Sequence, residues 1–210
     1  MKPEATIIYY TANAEDEKLE NHVRETILRN NKGKYPIISV SRKPIDFGKN
    51  ICVGEIPICD VSAFKQLLAG LLAAETKFCI AAESDVLYPP EYFNFIPPTD
   101  RDAYRYNNLW MFTSYISKGN QNKFWKKEFS EGAQMVGREY WIERIQVGIE
   151  RGDGRHIFPT RDQFNWNSIN PVITIKTGMG LRPRSGHTPE SSYVIPFWGS
   201  TDYLRKKIWG

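Results

Sequence analysis

Apolar and polar positions in the first half of the chain alternate between the spacing of strands and that of helices. Three short runs rich in β-branched and aromatic residues predict buried strands, at 6–11, 36–41 and 77–82. Between them, apolar side chains three or four positions apart predict helices over 15–30 and 60–72. Because strands and helices follow one another in turn, this half predicts a parallel sheet with right-handed crossovers.

The second half of the chain has a less regular pattern. It predicts strands at 109–115 and 171–176, a helix over 131–150, and a turn entering a short helix at 88–93. Residues 44–58 show no clear period and are expected to be irregular, and Asp60 is the expected N-cap of the helix that follows. Since no repeat or low-complexity linker divides the chain, we expect a single domain over residues 1–210.

The composition is that of a folded chain. Of its 210 residues, 41% are apolar and 25% are charged, which argues against disorder as the main state. No apolar run approaches the ~20 residues that cross a bilayer, and no secretory apolar region opens the chain. Three cysteines without zinc-ligand spacing indicate reduced, largely buried thiols. We therefore expect a cytoplasmic protein with no membrane insertion.

The net charge of +4 is unevenly distributed. Residues 1–100 carry a net charge of −3, whereas residues 101–210 carry a net charge of +7. A basic half can form a face for a phosphate-rich partner, although such an asymmetry can also be an accident of surface composition. Charge alone therefore leaves the function open.

Polar side chains follow each of the three predicted strands of the first half. In parallel α/β sheets, ligands bind beyond the carboxyl ends of the strands. The side chains placed there are Thr11, Asn13, Ser41, Lys43, Glu83, Ser84 and Asp85. The two carboxylates of Glu83 and Asp85 are hard oxygen ligands that suit Mg²⁺ or Mn²⁺ carrying substrate phosphates, although the same acidic pair also occurs in solvated turns. Neither a Walker loop nor a dinucleotide fingerprint is present.

Three segments of the chain resemble nucleotide-sugar glycosyltransferases of the GT-A fold, near the broad family-2 group. They are residues 7–13, 38–41 and, above all, 82–93, where an acidic pair is followed by an apolar stretch and Tyr-Pro-Pro-Glu-Tyr-Phe. The sequence departs from the Asp-x-Asp metal motif of that family at Glu83. The resemblance implies an α/β, GT-A-like domain with a mostly parallel, Rossmann-like sheet flanked by helices. The domain would include a smaller acceptor-side region. Residues 1–95 would form the nucleotide-sugar-binding half and residues 96–210 the acceptor-binding half.

The resemblance also implies roles for individual residues. The donor would be a nucleotide-sugar, with a UDP-sugar favoured, and Thr11 and Asn13 would lie near its base or ribose. Asp85, Glu83 and a C-terminal histidine, for which His187 is the candidate, would ligate Mn²⁺ or Mg²⁺. Cationic side chains that could join the clamp on the diphosphate, or simply form a solvated loop, are Lys176, Arg182 and Arg184. The activity would be transfer of a hexose or pentose.

An inverting enzyme of this class also needs a base that takes the proton of the acceptor hydroxyl. Carboxylates in the second half that could serve are Glu143, Asp153 and Asp162. Each of them is equally well explained as a solvated or ion-paired side chain, and a retaining enzyme can work without a dedicated base. The sequence therefore leaves the stereochemical outcome open.

Basic and aromatic side chains interleave in the second half and predict the acceptor surface. Those singled out are Lys123, Trp125, Lys126, Lys127, Arg155 and Trp166. Cations can meet nucleic-acid phosphates while aromatic rings stack on bases, but the same rings can stack on sugars or pack a core. The chain also resembles small phage enzymes that glycosylate hydroxymethylated pyrimidines in DNA, for which the target base must leave the duplex. Two alternatives stay open: a glycan or lipid-linked sugar as acceptor, and a non-catalytic nucleic-acid-binding module.

Overall fold

The computed structural model describes residues 3–114, 122–128, 130–152, 157–177 and 190–210. Within these ranges the helices are α1 Glu17–Asn31, α2 Asp60–Ala73, α3 Arg138–Glu150 and α4 Thr201–Trp209, with 3-10 turns at Pro90–Phe93 and Thr160–Asp162. The strands are β1 Ala5–Thr11, β2 Ile37–Ser41, β3 Lys49–Cys52, β4 Phe78–Glu83, β5 Val86–Leu87, β6 Ala103–Tyr106, β7 Leu109–Thr113, β8 Phe124–Lys127, β9 Gln134–Gly137, β10 Gln163–Trp166, β11 Val172–Lys176, β12 Ser191–Ser192, β13 Val194–Ile195 and β14 Gly199–Ser200. In the described part of the chain, no helix combines the length and apolarity needed to span a bilayer.

The larger sheet has the strand order β10-β6-β9-β4-β1-β2-β3. Strands β4, β1, β2 and β3 pair in parallel, and β10 pairs in parallel with β6. Among the described strands of this sheet, β9 runs against its neighbours β4 and β6. The predicted mixed α/β fold with a mostly parallel sheet is therefore confirmed.

Helices cover both faces of the larger sheet. Side chains of β1 alternate between the two faces, so Ile7 and Tyr9 enter one apolar cluster while Ile8 enters the other. Helix α1 and helix α4 pack in the first cluster, and helices α2 and α3 in the second. Helix α2 approaches β1 closely because Gly70 has no side chain: a Cβ there would lie 2.4 Å from Ile8 Cγ2.

A second sheet, with the order β12-β8-β7-β11-β5, adjoins the point where β4 ends. Ser84 and Asp85 form the turn between β4 in the larger sheet and β5 in the second. Ile175 N–H of β11 donates a hydrogen bond to the backbone oxygen of Asp85 at 2.8 Å. The acidic turn noted in the sequence thus joins the two sheets.

The predicted helix over 131–150 is wrong in its first part. Residues 134–137 form β9, which fills the gap between β4 and β6 by pairing with both. Gly137 ends the strand where a Cβ would meet the backbone oxygen of Asp100 at 2.0 Å, and α3 begins at the next residue. Tertiary pairing therefore overrides the apolar spacing that favoured a longer helix.

Three smaller expectations also need correction. Residues 49–52, expected to be irregular, form the parallel strand β3 at the end of the sheet. Asp60 is the first residue of α2, while Cys59 occupies the N-cap position without a side-chain capping bond. Cys79 is buried, but Cys52 and Cys59 are exposed, so the thiols are not largely buried.

Candidate functional site

The carboxyl end of the larger sheet, where β1, β2 and β4 end, brings together most of the side chains that were predicted there. The register sets Thr11 beside Ser41 and Tyr10 beside Glu83. The chain leaves all three strands at one level, so the loops after them line a common edge. This agrees with the placement predicted from the sequence.

Glu83 is held in a fixed position at the end of β4. The hydroxyl of Tyr10 donates to its Oε1 at 2.7 Å, and its backbone N–H donates to the Tyr88 hydroxyl at 2.8 Å. Gly132 leaves room for the carboxylate, because a Cβ at that position would lie 2.3 Å from Glu83 Oε2. Burial and the neighbouring Asp85 raise the pKa of Glu83, against the opposing influence of the Tyr10 hydroxyl, Lys127 and Lys176.

Asp85 lies in a more open position two residues further on. Its Oδ2 is 3.5 Å from Lys176 Nζ, and the two side chains are 21% and 25% exposed. Lys176 comes from the end of β11, in the second sheet. Ser84, between the two acids, is buried at 8% exposure and stays within the turn. The site therefore offers one carboxylate that is accessible and one that is fixed.

Lys127 also belongs to this end of the sheet. Its charge acts on the Glu83 carboxylate, and its Nζ lies 3.3 Å from both Ser130 Oγ and Thr174 Oγ1. The sequence analysis assigned Lys127 to the acceptor surface together with its neighbour Lys126. Because successive side chains of a strand point to opposite faces, Lys126 and Lys127 of β8 lie in different environments.

The predicted donor-binding residues Thr11, Asn13 and Ser41 are engaged in bonds between loops. Asn13 adopts a left-handed backbone with φ 50°, and its Oδ1 accepts hydrogen bonds from the N–H groups of Arg42 and Lys43, both at 2.9 Å. Thr11 donates to Glu20 Oε1 at 2.9 Å. The Asn13 bonds join the loop after β1 to the loop after β2, and the Thr11 bond joins the end of β1 to α1.

Ser41 has a similar role within the second loop. Its hydroxyl donates to the backbone oxygen of Lys43 at 2.6 Å and accepts from Asn50 Nδ2 at 2.9 Å. Since Ser41 is fully buried, it shapes the loop rather than facing a ligand. Lys43 itself is exposed, so its ammonium group is available at this edge.

A cleft of about 340 Å³ opens next to the acidic turn. It is lined by Ala14, Glu15, Asp16, Ser114, Thr177 and Trp209. Trp209 Nε1 donates to Asp16 Oδ1 at 3.1 Å, which fixes the indole at the rim. Burial raises the pKa of Glu15, and Asp85 raises it further, while Thr177 and Lys176 act in the opposite direction. The sequence analysis missed Glu15 and Trp209, although Glu15 follows the end of β1 by only four residues.

The residues present fit a divalent cation in chemical type. Within the described residues, no three side chains of the ligating types converge. A Mg²⁺ ion that carries a diphosphate needs only one or two carboxylates, because phosphates and water supply the other oxygens. Asp85 and Glu83 provide that pair, with Asp85 the more accessible.

Glu143 and Asp162 lie at the amino end of the sheet. This position does not support the role of catalytic base that the sequence analysis predicted for them. Strand β10 starts directly after Asp162. The register of the intervening strands β6 and β9 aligns the first residue of β10 with Cys79 of β4. Cys79 precedes Glu83 by four residues, or about 13 Å along the strand. Glu143 is ion-paired with Arg101 at 3.0 Å, and its side chain is 52% exposed. Neither carboxylate reaches the acidic turn.

Most of the predicted acceptor-binding residues are engaged within the protein. Lys126 Nζ lies 3.0 Å from Asn108 Oδ1 and 5.1 Å from the ring centroid of Trp110. Trp166 stacks on Phe95 and on Tyr92, with centroids 4.6 and 5.6 Å apart, and so packs against the core. Trp125 lies in β8, paired with Met111 and Ser191. Lys123 is the exception, because it lies beside an exposed aromatic ring near the C-terminus.

Five further residues selected by the sequence analysis lie outside the described residues: Asp153, Arg155, Arg182, Arg184 and His187.

Comparison by sequence finds no match: no family model fits the chain, and no curated protein is similar to it. Comparison by structure finds proteins of similar fold at low identity. The bifunctional IspDF of Campylobacter jejuni aligns with a TM-score of 0.47 and 11% identity over 79% of this chain and 49% of that one. This chain thus spans about half the length of IspDF.

Two glycosyltransferases are also among the similar structures. One is involved in glycosylation of the major capsid of PBCV-1, with a TM-score of 0.46 and 10% identity over 80% of this chain and 84% of that one. The other is glucosyl-3-phosphoglycerate synthase from Mycobacterium tuberculosis, with a TM-score of 0.45 and 11% identity over 87% of this chain and 74% of that one. At these scores, the similarity does not assign an activity to this chain.

Proposed function

We propose that the protein is a metal-dependent glycosyltransferase that moves a sugar from a nucleotide-sugar, with a UDP-sugar favoured, to a hydroxyl group. The observation that carries the proposal is the acidic turn at the carboxyl end of the parallel sheet. There, Glu83 and Asp85 stand beside Lys176 and next to an open cleft. The resemblance of residues 82–93 to the donor-binding segment of such enzymes supports it independently.

In this proposal, Asp85 and Glu83 hold Mn²⁺ or Mg²⁺. The bound ion supplies positive charge that offsets the charge growing on the departing nucleoside diphosphate. Lys176 and Lys127 add fixed positive charge next to the two carboxylates, where partial burial keeps the interaction strong. Tyr10 and Gly132 keep the Glu83 carboxylate in place, so it needs no rearrangement when the donor binds.

The cleft beside the turn accommodates the hydroxyl-rich part of the reactants. Glu15 and Asp16 offer carboxylate oxygens that accept hydrogen bonds from hydroxyl groups, and the Trp209 indole offers an apolar face. With Glu143 and Asp162 at the other end of the sheet, Glu15 replaces them as our candidate for the group that accepts the acceptor proton. Its raised pKa suits that role.

For the acceptor, we propose a hydroxymethylated pyrimidine base in DNA. The support is the net charge of +7 over residues 101–210 and the resemblance to phage DNA-modifying enzymes. Transfer to a base requires that it leave the stack, since the cleft is bordered by both sheets. If a phage encodes the protein, it would act in the host cytoplasm.

The proposal is tested first by donor binding. Titration calorimetry with UDP, GDP and their sugars, each with and without Mn²⁺, should show metal-dependent binding of at least one nucleotide-sugar. Incubation of that donor with plain and hydroxymethylated oligonucleotides should then raise the intact mass by one sugar residue. Absence of nucleotide binding both with and without Mn²⁺ would refute the enzyme class, whereas donor binding with transfer only to a glycan would refute the DNA acceptor alone.

A further inference from the structure

A β-hairpin near the C-terminus presents an aromatic ring to solvent on a strained backbone. Strands β13 and β14 pair at Val194 with Ser200 and at Ile195 with Gly199, which leaves residues 196–198 at the tip. Phe197 has a φ of 66° and is 51% exposed. A bulky residue rarely adopts the left-handed region, so this conformation costs free energy that the exposed ring does not recover by burial.

The neighbouring residues of the tip hold it in this conformation. Trp198 is buried, and its Nε1 donates to Pro171 O at 2.6 Å. Ile195 enters the main apolar cluster. With residues on both sides anchored, Phe197 remains half exposed at the tip of the hairpin. Its ring meets the Trp198 ring edge-on, with centroids 4.7 Å apart.

Two further exposed rings flank the hairpin, each with a lysine beside it. Tyr193, which precedes β13, is 59% exposed and lies 4.8 Å from Lys123 Nζ. Tyr203, in the first turn of α4, is 55% exposed and lies 5.7 Å from Lys207 Nζ. Gly199 packs against the Tyr203 ring, which joins the helix to the hairpin. We call Tyr193, Phe197, Tyr203 and the two lysines the aromatic platform.

The charges around the platform favour an anionic occupant. Lys206 and Lys207 are exposed on α4. Asp202, one turn before Lys206 on the same helix, is bonded to Arg205 at 3.2 Å and to Asn122 at 3.2 Å. The apolar side of α4 is already buried through Leu204 and Ile208, so the helix has no apolar face to insert into a lipid surface.

The position of the platform connects it to the cleft. Helix α4 carries Tyr203 in its first turn and ends at Trp209, which lines the cleft beside Asp16. Six helical residues span about 9 Å along the axis, so the platform and the cleft lie towards opposite ends of one short helix.

We propose that the aromatic platform binds single-stranded or locally opened nucleic acid, with Phe197 stacking on an unpaired base and the lysines meeting phosphates. Base–aromatic stacking combined with cations is the chemistry by which proteins hold unpaired strands. The inference rests on the proposed DNA acceptor, for which it supplies the surface that holds the strand while one base enters the cleft.

The test is fluorescence anisotropy of a labelled 20-nucleotide single strand, titrated with the full chain at several salt concentrations. Phe197→Ala should weaken binding about tenfold, whereas Phe197→Tyr should retain it. The matched control is Phe164→Ala, because Phe164 is 45% exposed and lies on β10, stacked on Tyr104. Lys207→Gln should lower the slope of log K against log salt by about 0.7, and Lys65→Gln on α2 should leave the slope unchanged.

Phe197→Gly separates stacking from folding. Glycine adopts a positive φ freely, so this variant should melt no lower than the wild type while it loses the same affinity as Phe197→Ala. Equal loss in Phe197→Ala and Phe164→Ala would overturn the inference. So would wild-type binding to anionic vesicles with no binding to the strand. UDP binding by calorimetry should be unaffected by Phe197→Ala, so failure of the platform and failure of the enzyme proposal can be told apart.

Discussion

The two ends of the larger sheet both carry acidic side chains paired with basic ones, but in different surroundings. At the carboxyl end, Asp85 and Lys176 are 21% and 25% exposed and stand next to the partly buried Glu83. At the amino end, Arg101 and Glu143 are 63% and 52% exposed. Water screens the second pair, whereas the first acts through a medium of lower dielectric constant. The ion pair at the carboxyl end is therefore expected to interact more strongly than the Arg101–Glu143 pair at the amino end.

The largest expected effect comes from removing the accessible carboxylate. Asp85→Asn should lower sugar transfer about a thousandfold, equivalent to ~4 kcal/mol of transition-state stabilisation, because the amide is a poor ligand for a divalent cation. Asp162→Asn at the amino end should change transfer less than about twofold. Turnover is measured by release of the nucleoside diphosphate, with thermal melting as the check on folding.

Comparing Asp85→Asn with Asp162→Asn separates a specific role of Asp85 from a general effect of charge. Both replacements remove one charge and keep the shape of the side chain, so a general effect of charge would appear in both. Comparable losses in the two variants would contradict the assignment of the site to the carboxyl end. Wild-type turnover in Asp85→Asn would remove the role of that carboxylate in metal binding.

Much of the fold could be predicted because local pattern and tertiary position agree. Strands β1, β2 and β4 are mostly apolar and buried along almost their whole length, as expected of strands covered on both faces. The strand β9 could not be predicted, because Gln134 and Gly137 are poor strand formers and only the gap between β4 and β6 makes them pair. Short strands such as β3 depend on a neighbour in the same way.

For the candidate site, the sequence predicted the position of the acidic turn but not which distant residues lie near it in the fold. Glu83 and Asp85 could be found because they follow an apolar run directly. Trp209 is far from them in sequence and reaches the cleft only because α4 packs on α1, where Lys18 Nζ bonds to its backbone oxygen at 3.1 Å. The sequence analysis selects Glu143 and Asp162 by residue type and by their place in the half expected to bind the acceptor. Which end of the sheet they occupy depends on strand order, and the sequence does not specify it.

Alanine substitutions at two glycines, one at each end of the sheet, should affect stability at one end and activity at the other. Gly137→Ala at the amino end sets a Cβ 2.0 Å from the backbone oxygen of Asp100, which cannot rotate away, and should destabilise the fold by about 2–3 kcal/mol. Gly132→Ala at the carboxyl end displaces the Glu83 carboxylate instead, a side chain that can move. It should melt close to the wild type but transfer sugar about tenfold more slowly.

These two variants are compared by chemical denaturation and by turnover per folded molecule. The expected pattern is a stability defect without an activity defect for Gly137→Ala and the reverse for Gly132→Ala. If Gly132→Ala lost stability while the folded fraction kept full activity, Glu83 would have no functional role at that position.

Asn13 should show a smaller effect, on binding. Asn13→Gly keeps the positive φ but removes the oxygen that accepts from Arg42 and Lys43 N–H, so the loops after β1 and β2 separate more easily. We expect the donor KM to rise several-fold with little change in kcat, for a loss of about 1 kcal/mol. Asn13→Asp, which retains the accepting oxygen, should behave like the wild type. A fall in kcat alone would contradict a role in loop positioning.

The smallest expected effect concerns His22, which lies on α1 between the two ends of the sheet. Burial lowers its pKa, and Lys207 and Arg29 lower it further, against a weaker opposite effect of Glu25. The folded protein therefore disfavours the protonated ring, so the stability that neutral His22 contributes is complete above about pH 6.5 and is lost as the pH falls. His22→Gln should make the melting temperature less sensitive to pH between 7.5 and 5.5, while other titrating groups affect both proteins alike. Since His22 touches neither end, its replacement should leave unchanged the low-pH loss of transfer that is expected from protonation of Glu83, whose pKa is raised by burial and by Asp85. If the same substitution also abolished that loss, the pH sensitivity of the site would reflect folding and not the carboxylates.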